Sequence, residues 1–406
     1  MSQPPVFNPK TLRSNFAVLL FSTFVSDVVS PIFALYLPLF AYQLGANVFE
    51  LGLVGGVAYG SYSFMPFIIG RYSDQVRRRK DFMVISLAML AACSLVYAFV
   101  ASPIQLIALR VLEGVAWAIL WPIIDAEVSE DVSRESSKSL SIYNTVWSVA
   151  GALGPLVGVA LIILLTQIRY IFVVTALMMV LATAVSATFM RDDERAVPTS
   201  ASNSGTETVL VKTKSTDVNS IWIFVVAMVF QSAIRGVLFT FYPPLAESRG
   251  ISYLVVGVVG FSFGAARAGV FSLTTHDGFR GFFLRRENIR RTLVISLAVS
   301  AAAGSLPLLS DSTWIVGVVA FSIVALASSF TFMISQVELI ARAESAKKGS
   351  GAGVFESTIG IGVALGPVIS GFVSGGSLSI PFLVAPVGFV IALPILVLLF
   401  RRRSAS

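Results

Sequence analysis

Gly70-Arg71-Tyr72-Ser73-Asp74-Gln75-Val76-Arg77-Arg78-Arg79-Lys80 joins two apolar runs, 48–70 and 81–101. Short loops rich in Lys and Arg stay in the cytoplasm, so this stretch fixes one turn of a chain that crosses a bilayer. Working outward, every second gap between apolar runs is basic in the same way. Lys10 and Arg13 precede it; Arg134 and Lys138 follow, then Arg191, Arg195, Lys212 and Lys214. The series continues with Arg280, Arg285, Arg286, Arg290 and Arg291, then Arg342, Lys347 and Lys348, and ends with Arg401, Arg402 and Arg403. These gaps hold 24 of the 29 basic residues, and the intervening gaps hold only Arg169 and Arg249. Both termini are therefore expected on the cytoplasmic side of a multi-pass protein of the cell membrane. Arg110, Arg235 and Arg267 lie within apolar runs, where function is to be sought.

Composition agrees. Hydrophobic residues make up 56% of the chain and charged residues 13%, against about 25% charged in soluble domains. The net charge of +7 belongs to loops between membrane spans. It forms no separate basic domain, which argues against nucleic acid as a partner. A single cysteine, Cys93, excludes an internal disulfide. The first apolar run follows a short polar start without a small-residue cleavage site, and reads as a retained span.

A hydrocarbon core of about 30 Å needs about 20 apolar residues in a helix. The runs long enough are 14–40, 48–70, 81–101, 103–126, 139–166 and 169–190, then 220–245, 252–275, 291–309, 312–336, 350–374 and 379–400. Between the sixth and seventh, residues 191–219 are charged and then Ser/Thr-rich, and read as a flexible cytoplasmic linker. The two sides of the linker resemble each other. Leu153-Gly154-Pro155 recurs as Leu365-Gly366-Pro367, and Val84-Ile85-Ser86-Leu87-Ala88 as Val294-Ile295-Ser296-Leu297-Ala298. Tyr36-Leu37-Pro38-Leu39 is echoed by Tyr242-Pro243-Pro244-Leu245. The order is conserved and the spacing drifts slowly, which indicates duplication. The expected fold is an all-α membrane protein of twelve transmembrane helices in two pseudo-symmetric six-helix bundles, 1–190 and 220–406. Such parallel repeats around a central pathway are a transporter architecture.

Over essentially its whole length the chain resembles the major facilitator superfamily, and within it the drug/proton antiporter-like branch. Gly70, Asp74, Arg78 and Arg79 match the family's loop between spans 2 and 3; Gln75 stands where Arg is usual and Arg77 where Gly is usual. The resemblance implies a conformational gate at Gly70, Asp74 and Arg78. Arg110-Val111-Leu112-Glu113-Gly114 is similar to a span-4 motif associated with proton-coupled members, with Glu113 in place of Gln. Gly154, Pro155 and Gly158 resemble the exporters' Gly-Pro motif, although Ala150 stands where that motif has Gly. The second half repeats the pattern at Gly362, Gly366, Pro367 and Gly371. Small residues so spaced also let helices pack closely and bend, so these positions read as helix-packing sites too.

The membrane-embedded charges carry the rest. Asp27 lies midway along span 1, on a polar strip with Ser22, Thr23, Ser26 and Ser30. An ionised carboxylate at mid-membrane costs about 2.5–3.5 kcal/mol on insertion scales. Either a cationic partner offsets that cost, or the group is protonated for part of a cycle. Arg110, Glu113, Gly114 and Trp117 share one face of span 4, and Gln231 and Arg235 one face of span 7. In this architecture spans 1, 4, 7 and 10 line the pathway. Asp27, Arg110, Glu113, Trp117, Gln231 and Arg235 are thus expected around one cavity for proton coupling or substrate. Arg110 with Glu113 also reads as a local neutralised pair. Glu356 and Arg267 are expected to pair with each other. Asp125, Glu127 and Glu338 near inner span ends read as gate or loop contacts, and the sole histidine, His276, as solvated. Trp117 and Trp121 suit an amphipathic organic cation or, equally, an interface with lipid.

The sequence therefore predicts a monomeric secondary active transporter working by alternating access, driven by protons, exporting small organic, drug-like compounds. An uptake carrier for a sugar, carboxylate or other metabolite is the alternative, and a non-transporting receptor on the same scaffold is a third reading. No nucleotide loop, metal cluster or nucleophile arrangement supports an enzyme, and no cofactor or metal is called for. The topology has a direct check. In a Cys93→Ser background, a membrane-impermeant maleimide applied to whole cells should label Gln167→Cys and not Val76→Cys; the reverse labelling would invert the chain.

Overall fold

The computed structural model describes residues 9–76, 79–135, 137–191, 219–274, 276–309, 314–341 and 348–405. At 9–14, 65–76, 125–135, 137–141, 144, 219–220, 277, 286, 309, 340–341, 348–352 and 402–405 it describes the backbone alone. The linker expected at 191–219 lies almost wholly outside these residues. In hydrocarbon, a helix satisfies every backbone group within its own segment, and the described chain is helical apart from short turns. The first half comprises α1 (Pro9–Gln43), α2 (Val48–Val76), α3 (Arg79–Tyr97), α4 (Pro103–Glu135), α5 (Ser137–Leu165) and α6 (Ile168–Phe189). The second comprises α7 (Asn219–Ser248), α8 (Tyr253–Thr274), α9 (Asp277–Leu284), α10 (Arg286–Gly304), α11 (Leu306–Leu309), α12 (Trp314–Ala341), α13 (Lys348–Val373) and α14 (Val384–Ala405). Among the described residues, eleven helices are long and apolar enough to cross a membrane. The 29-residue α2 is a further long helix whose side chains are described only to Phe64.

Two features depart from the expected spans. The basic gap around 276–290 holds the short helix α9, whose Phe279 and Phe283 rings lie 6.3 and 4.6 Å from Phe330 of α12. The run expected at 291–309 starts earlier, at Arg286, and breaks at Ser305 before the single turn of α11. Glu287 in its first turn suits the positive end of the helix dipole, which extends the helix into polar sequence.

Packing repeats from one half to the other. In the first half α1 lies against α5 and α6, α2 against α4, and α3 against α4 and α6; in the second, α7 lies against α13 and α14, α8 against α12, and α10 against α12 and α14. The ends of α1 and α7 repeat as well. Gly45 and Gly250 take φ of 86° and 71°, a left-handed conformation that glycine adopts without steric cost. Ala46 and Ile251 then donate backbone hydrogen bonds to Ala41 and Ala246, closing both helices in the same Schellman-type turn.

The halves join through α2 with α13 and α5 with α8, assisted by α1 with α7. Small residues set these crossings. A Cβ on Gly52 would meet the Pro367 carbonyl oxygen at 2.5 Å, and one on Gly264 would meet the Ala152 Cα at 2.6 Å. Within the halves, Gly154 faces the Val28 backbone of α1 and Gly366 faces the Ala233 backbone of α7. Gly158 accommodates the Tyr36 ring, whose hydroxyl donates to the Pro155 carbonyl at 3.2 Å. The Gly-Pro positions thus stand at helix crossings in both halves.

The contacts are uneven with depth. One apolar core runs through the first half and into the ends of α7, α8 and α12 remote from the basic loops. A second core, at the basic-loop end, draws only on α7, α10, α12, α13 and α14. Remote from the basic loops, Gln43 Nε2 donates to Glu247 Oε1 and to the Tyr253 hydroxyl, both at 2.8 Å, bridging the halves. Among the described residues the halves therefore share a core only on the face opposite the basic loops. Large apolar side chains such as Phe99, Leu164 and Phe372 point outward, as a lipid-facing surface requires. Gly366→Val should cost about 1–3 kcal/mol through overpacking. The check is the unfolding temperature of the purified protein in detergent, with Gly353→Val, where a Cβ meets open space, as the silent control.

Candidate functional site

The charges of α4 are gathered by a close helix approach. Gly114 lies directly on the backbone of Ala58, so that a Cβ there would collide with it. With α4 this near α2, Arg110 Nε reaches the Val54 carbonyl at 2.8 Å. Its Nη1 donates to both Glu113 oxygens, at 2.7 and 2.6 Å. Tyr97 and Trp117 complete the shell, donating to Glu113 at 2.6 and 2.9 Å. The side chains of Arg110 and Glu113 are 4% and 2% exposed. A carboxylate that receives four donor contacts in a dry setting is fully satisfied, and both charges are neutralised within one helix turn. Trp117 stacks on Trp121, with centroids 5.7 Å apart and planes at 9°.

A second charged group sits where the halves meet. Arg267 of α8 lies within Coulombic range of Arg235 on α7, Glu356 on α13 and Asp27 on α1. Asp27 is buried, and Arg235, Arg267 and Glu356 are half-buried. Glu356 Oε2 accepts from the Tyr62 hydroxyl of α2 at 2.9 Å, and next to it Ser357 donates to the Ser63 carbonyl at 3.0 Å. Arg235 stands 5.8 Å from the Phe239 and Phe263 ring centroids. Arg235 also lines a cavity of about 20 Å³ between the halves, together with Tyr59, Arg110, Phe239 and Thr240. That is room for about one water molecule.

Of the expected group, Asp27 and Arg235 each lie within Coulombic range of Arg267, and Arg110 and Arg235 line the same cavity. Glu113 is turned instead toward Tyr97 and Trp117. Gln231 points into the second half, its Nε2 donating to Ser300 of α10 at 2.8 Å. Ser22, on the polar strip of α1, faces Ser186 of α6 at 3.0 Å. The gate positions Gly70, Asp74 and Arg78, like Asp125 and Glu127, fall on side chains outside the described residues. His276 is exposed at the start of α9, and Glu338 is half-buried on α12. Sequence reasoning set Arg267 and Glu356 aside as a separate pair, whereas the fold adds them to Asp27 and Arg235. It also passed over Tyr97 and Trp147. Tyr97 closes α3 on the outside of span 4's motif, and Trp147 lies on α5 against Arg267; neither stands near its partner in sequence.

A helical bundle whose packing repeats from one half to the other, with charges gathered at the junction of the halves, is that of a multi-pass membrane protein of the facilitator type. The chain belongs to the Major Facilitator Superfamily, whose family model matches residues 19–277 and 279–406. Over 379 residues it is 22% identical to the uncharacterized MFS-type transporter MJ1560 of Methanocaldococcus jannaschii, covering 89% of this chain and 92% of that one. Over 109 residues it is 31% identical to the putative metabolite transport protein YaaU of Escherichia coli, spanning 27% of this chain and 24% of that one. A match to the uncharacterized MFS-type transporter MJ1317 of M. jannaschii, 26% identical, spans 40% of that protein's length. Among solved structures, the nucleoside transporter NupG superposes with a TM-score of 0.69 over 96% of this chain and 99% of its own, at 15% identity. A bacterial homolog of the human lysosomal transporter Spinster, in an inward-facing and occupied conformation, gives 0.71 over 99% and 98% at 16% identity. At these identities the likeness is one of fold.

The Arg110–Glu113 shell has a measurable consequence. Glu113→Leu leaves Arg110 charged without its carboxylate and should destabilise by about 3–5 kcal/mol, while Arg110→Met combined with Glu113→Leu should recover most of the loss. Thermal unfolding in detergent reads both; a single variant as stable as the parent would mean the pair is dispensable.

Proposed function

We propose that this protein is a secondary active transporter with twelve spans and both termini in the cytoplasm, working by alternating access and coupled to protons at Asp27. The observation that carries the reading is the group formed by Asp27, Arg235, Arg267 and Glu356 at the junction of the halves. Glu113 is engaged by Arg110, Tyr97 and Trp117 of its own half, whereas Asp27 belongs to the group shared across the junction, which makes Asp27 the better candidate. Protonating Asp27 removes one negative charge from a group contributed by both halves. The attraction between the halves then changes, and with it the balance between conformations open to either side. The shared core opposite the basic loops corresponds to a state closed on that face.

Export of small organic compounds is the direction that the Gly-Pro motif of α5 suggests. A second reading, uptake of a metabolite, is favoured by Arg235 opening onto the cavity between the halves, since a guanidinium suits an anionic group. The MFS members named above include a nucleoside transporter and a putative metabolite transporter, which lends support to small organic cargo. A thermal-shift screen of dyes, sugars and organic acids at two pH values supplies a ligand for the decisive measurement. In proteoliposomes, Asp27→Asn should reduce accumulation driven by a pH gradient at least tenfold, while exchange of labelled for unlabelled ligand continues. Accumulation by Asp27→Asn at the parental level would sink the coupling role.

A further inference from the structure

Proton coupling at Asp27 does not account for the surroundings of Arg267. Its guanidinium carbon lies 4.7 Å from the Trp147 ring centroid, 4.8 Å from that of Phe332 and 5.2 Å from that of Phe271. Trp147 belongs to the first half and the two phenylalanines to the second, so the rings close around the cation across the junction. Ring faces attract a cation but accept no in-plane hydrogen bond. Arg267 Nε is buried and has no hydrogen-bond partner among the described residues. A buried donor left unmet is costly and calls for a reason.

The second guanidinium sharpens the point. Arg235 is within Coulombic range of Arg267, stands 5.8 Å from both the Phe239 and Phe263 ring centroids and opens onto the cavity at the junction. Two like charges in a poorly polarisable setting repel, and anionic charge nearby must offset them. Asp27 and Glu356 do so in part, and Glu356 also accepts from Tyr62. The other titratable or charged groups on elements against α1 at this depth are Tyr59 and Tyr62 of α2 and the internally neutral Arg110–Glu113 pair of α4. Among the described residues, α5 and α6 bring no charged side chain there.

We propose that Arg235 and Arg267, walled by the rings of Phe239, Trp147 and Phe332, bind the anionic group of an organic anion whose apolar or aromatic body lies against those rings. The inference rests on proton coupling at Asp27 and names the substrate class of that site. With both acids ionised the four charged residues are neutral in sum. A proton on Asp27 leaves two guanidiniums facing one carboxylate, and a bound monoanion restores neutrality. Proton and anion load together, so an inward pH gradient drives uptake, the second of the two directions given above, and each turnover moves no net charge. Arg267, with its Nε available, supplies the donor face that a planar anionic group uses, and the rings exclude water from it.

Three probes of similar shape and different charge test this: benzenesulfonate, benzyl alcohol and benzylammonium. Benzenesulfonate is anionic at every pH used, so any pH dependence reports the protein. With the purified full-length protein, benzenesulfonate should raise the unfolding temperature, more at pH 6 than at pH 8, and the two other probes should not. Arg235→Gln and Arg267→Gln should each weaken its binding at least tenfold, with partial recovery in Arg267→Lys, and Asp27→Asn should remove the pH dependence. Equal stabilisation by benzyl alcohol or benzylammonium, or no response of the parent protein to benzenesulfonate, overturns the anion site without relying on any variant. In proteoliposomes, benzenesulfonate flux should follow the pH gradient and ignore an imposed membrane potential. Binding with flux indifferent to the pH gradient would instead remove proton coupling and leave the anion site standing.

Discussion

An ionised side chain inside hydrocarbon is costly unless another charge or several hydrogen-bond donors meet it, and this requirement organises the interior of the protein. It is met in two ways. Arg110 and Glu113 are three residues apart on one helix, and each largely neutralises the other without help from the second half. Asp27, Arg235, Arg267 and Glu356 come from four helices, three of them in the second half and one in the first. The first arrangement is indifferent to how the halves are set against each other. The second depends on it, because moving one half changes the distances between its members. A pair closed within one turn stabilises a helix, whereas a group shared across a junction can report or drive motion at that junction.

Close helix contact is the other half of the design. The glycines of α2, α5, α8 and α13 bring backbones together where a larger side chain would hold them apart. That closeness lets Arg110 reach a backbone carbonyl on α2, and places Tyr62 within hydrogen-bond distance of Glu356. The same crossings recur in both halves, so the junction has an approximate two-fold character. α2 meets α13 as α8 meets α5. A junction built from two equivalent pairs of smooth helices suits a rigid rocking of one half on the other.

The intramembrane arginines differ in their surroundings, and the difference is chemical. Arg110 has carboxylate and carbonyl acceptors at hydrogen-bond distance. Arg235 and Arg267 are held over aromatic faces. Aromatic faces stabilise the charge of a guanidinium while leaving its N–H groups to other acceptors. Arginines placed in this way are suited to recognise a ligand, and one saturated by its own helix is suited to hold structure.

Much of this was legible in one dimension. The alternation of basic gaps marks the spans because membrane insertion acts on the chain segment by segment, and the repeats around Gly154-Pro155 and Gly366-Pro367 reveal the duplication. The Arg110–Glu113 contact follows from helical spacing alone, since residues three apart share a face. Spacing gives no information on which helix a face meets. Gln231 shares a face with Arg235 by spacing, yet its amide is taken by Ser300 of α10. Ser22 belongs to the polar strip of α1, yet α6 covers it. Arg267 and Glu356 join Asp27 and Arg235 only because α8 and α13 pack against the opposite half. The sequence by itself determined most of the spans, the repeated motifs and the local ion pair, because those depend on hydropathy and helical periodicity. The tertiary structure decided which charges share one low-dielectric space, because that depends on how closely glycine-lined helices approach, and no periodicity within a single helix encodes it.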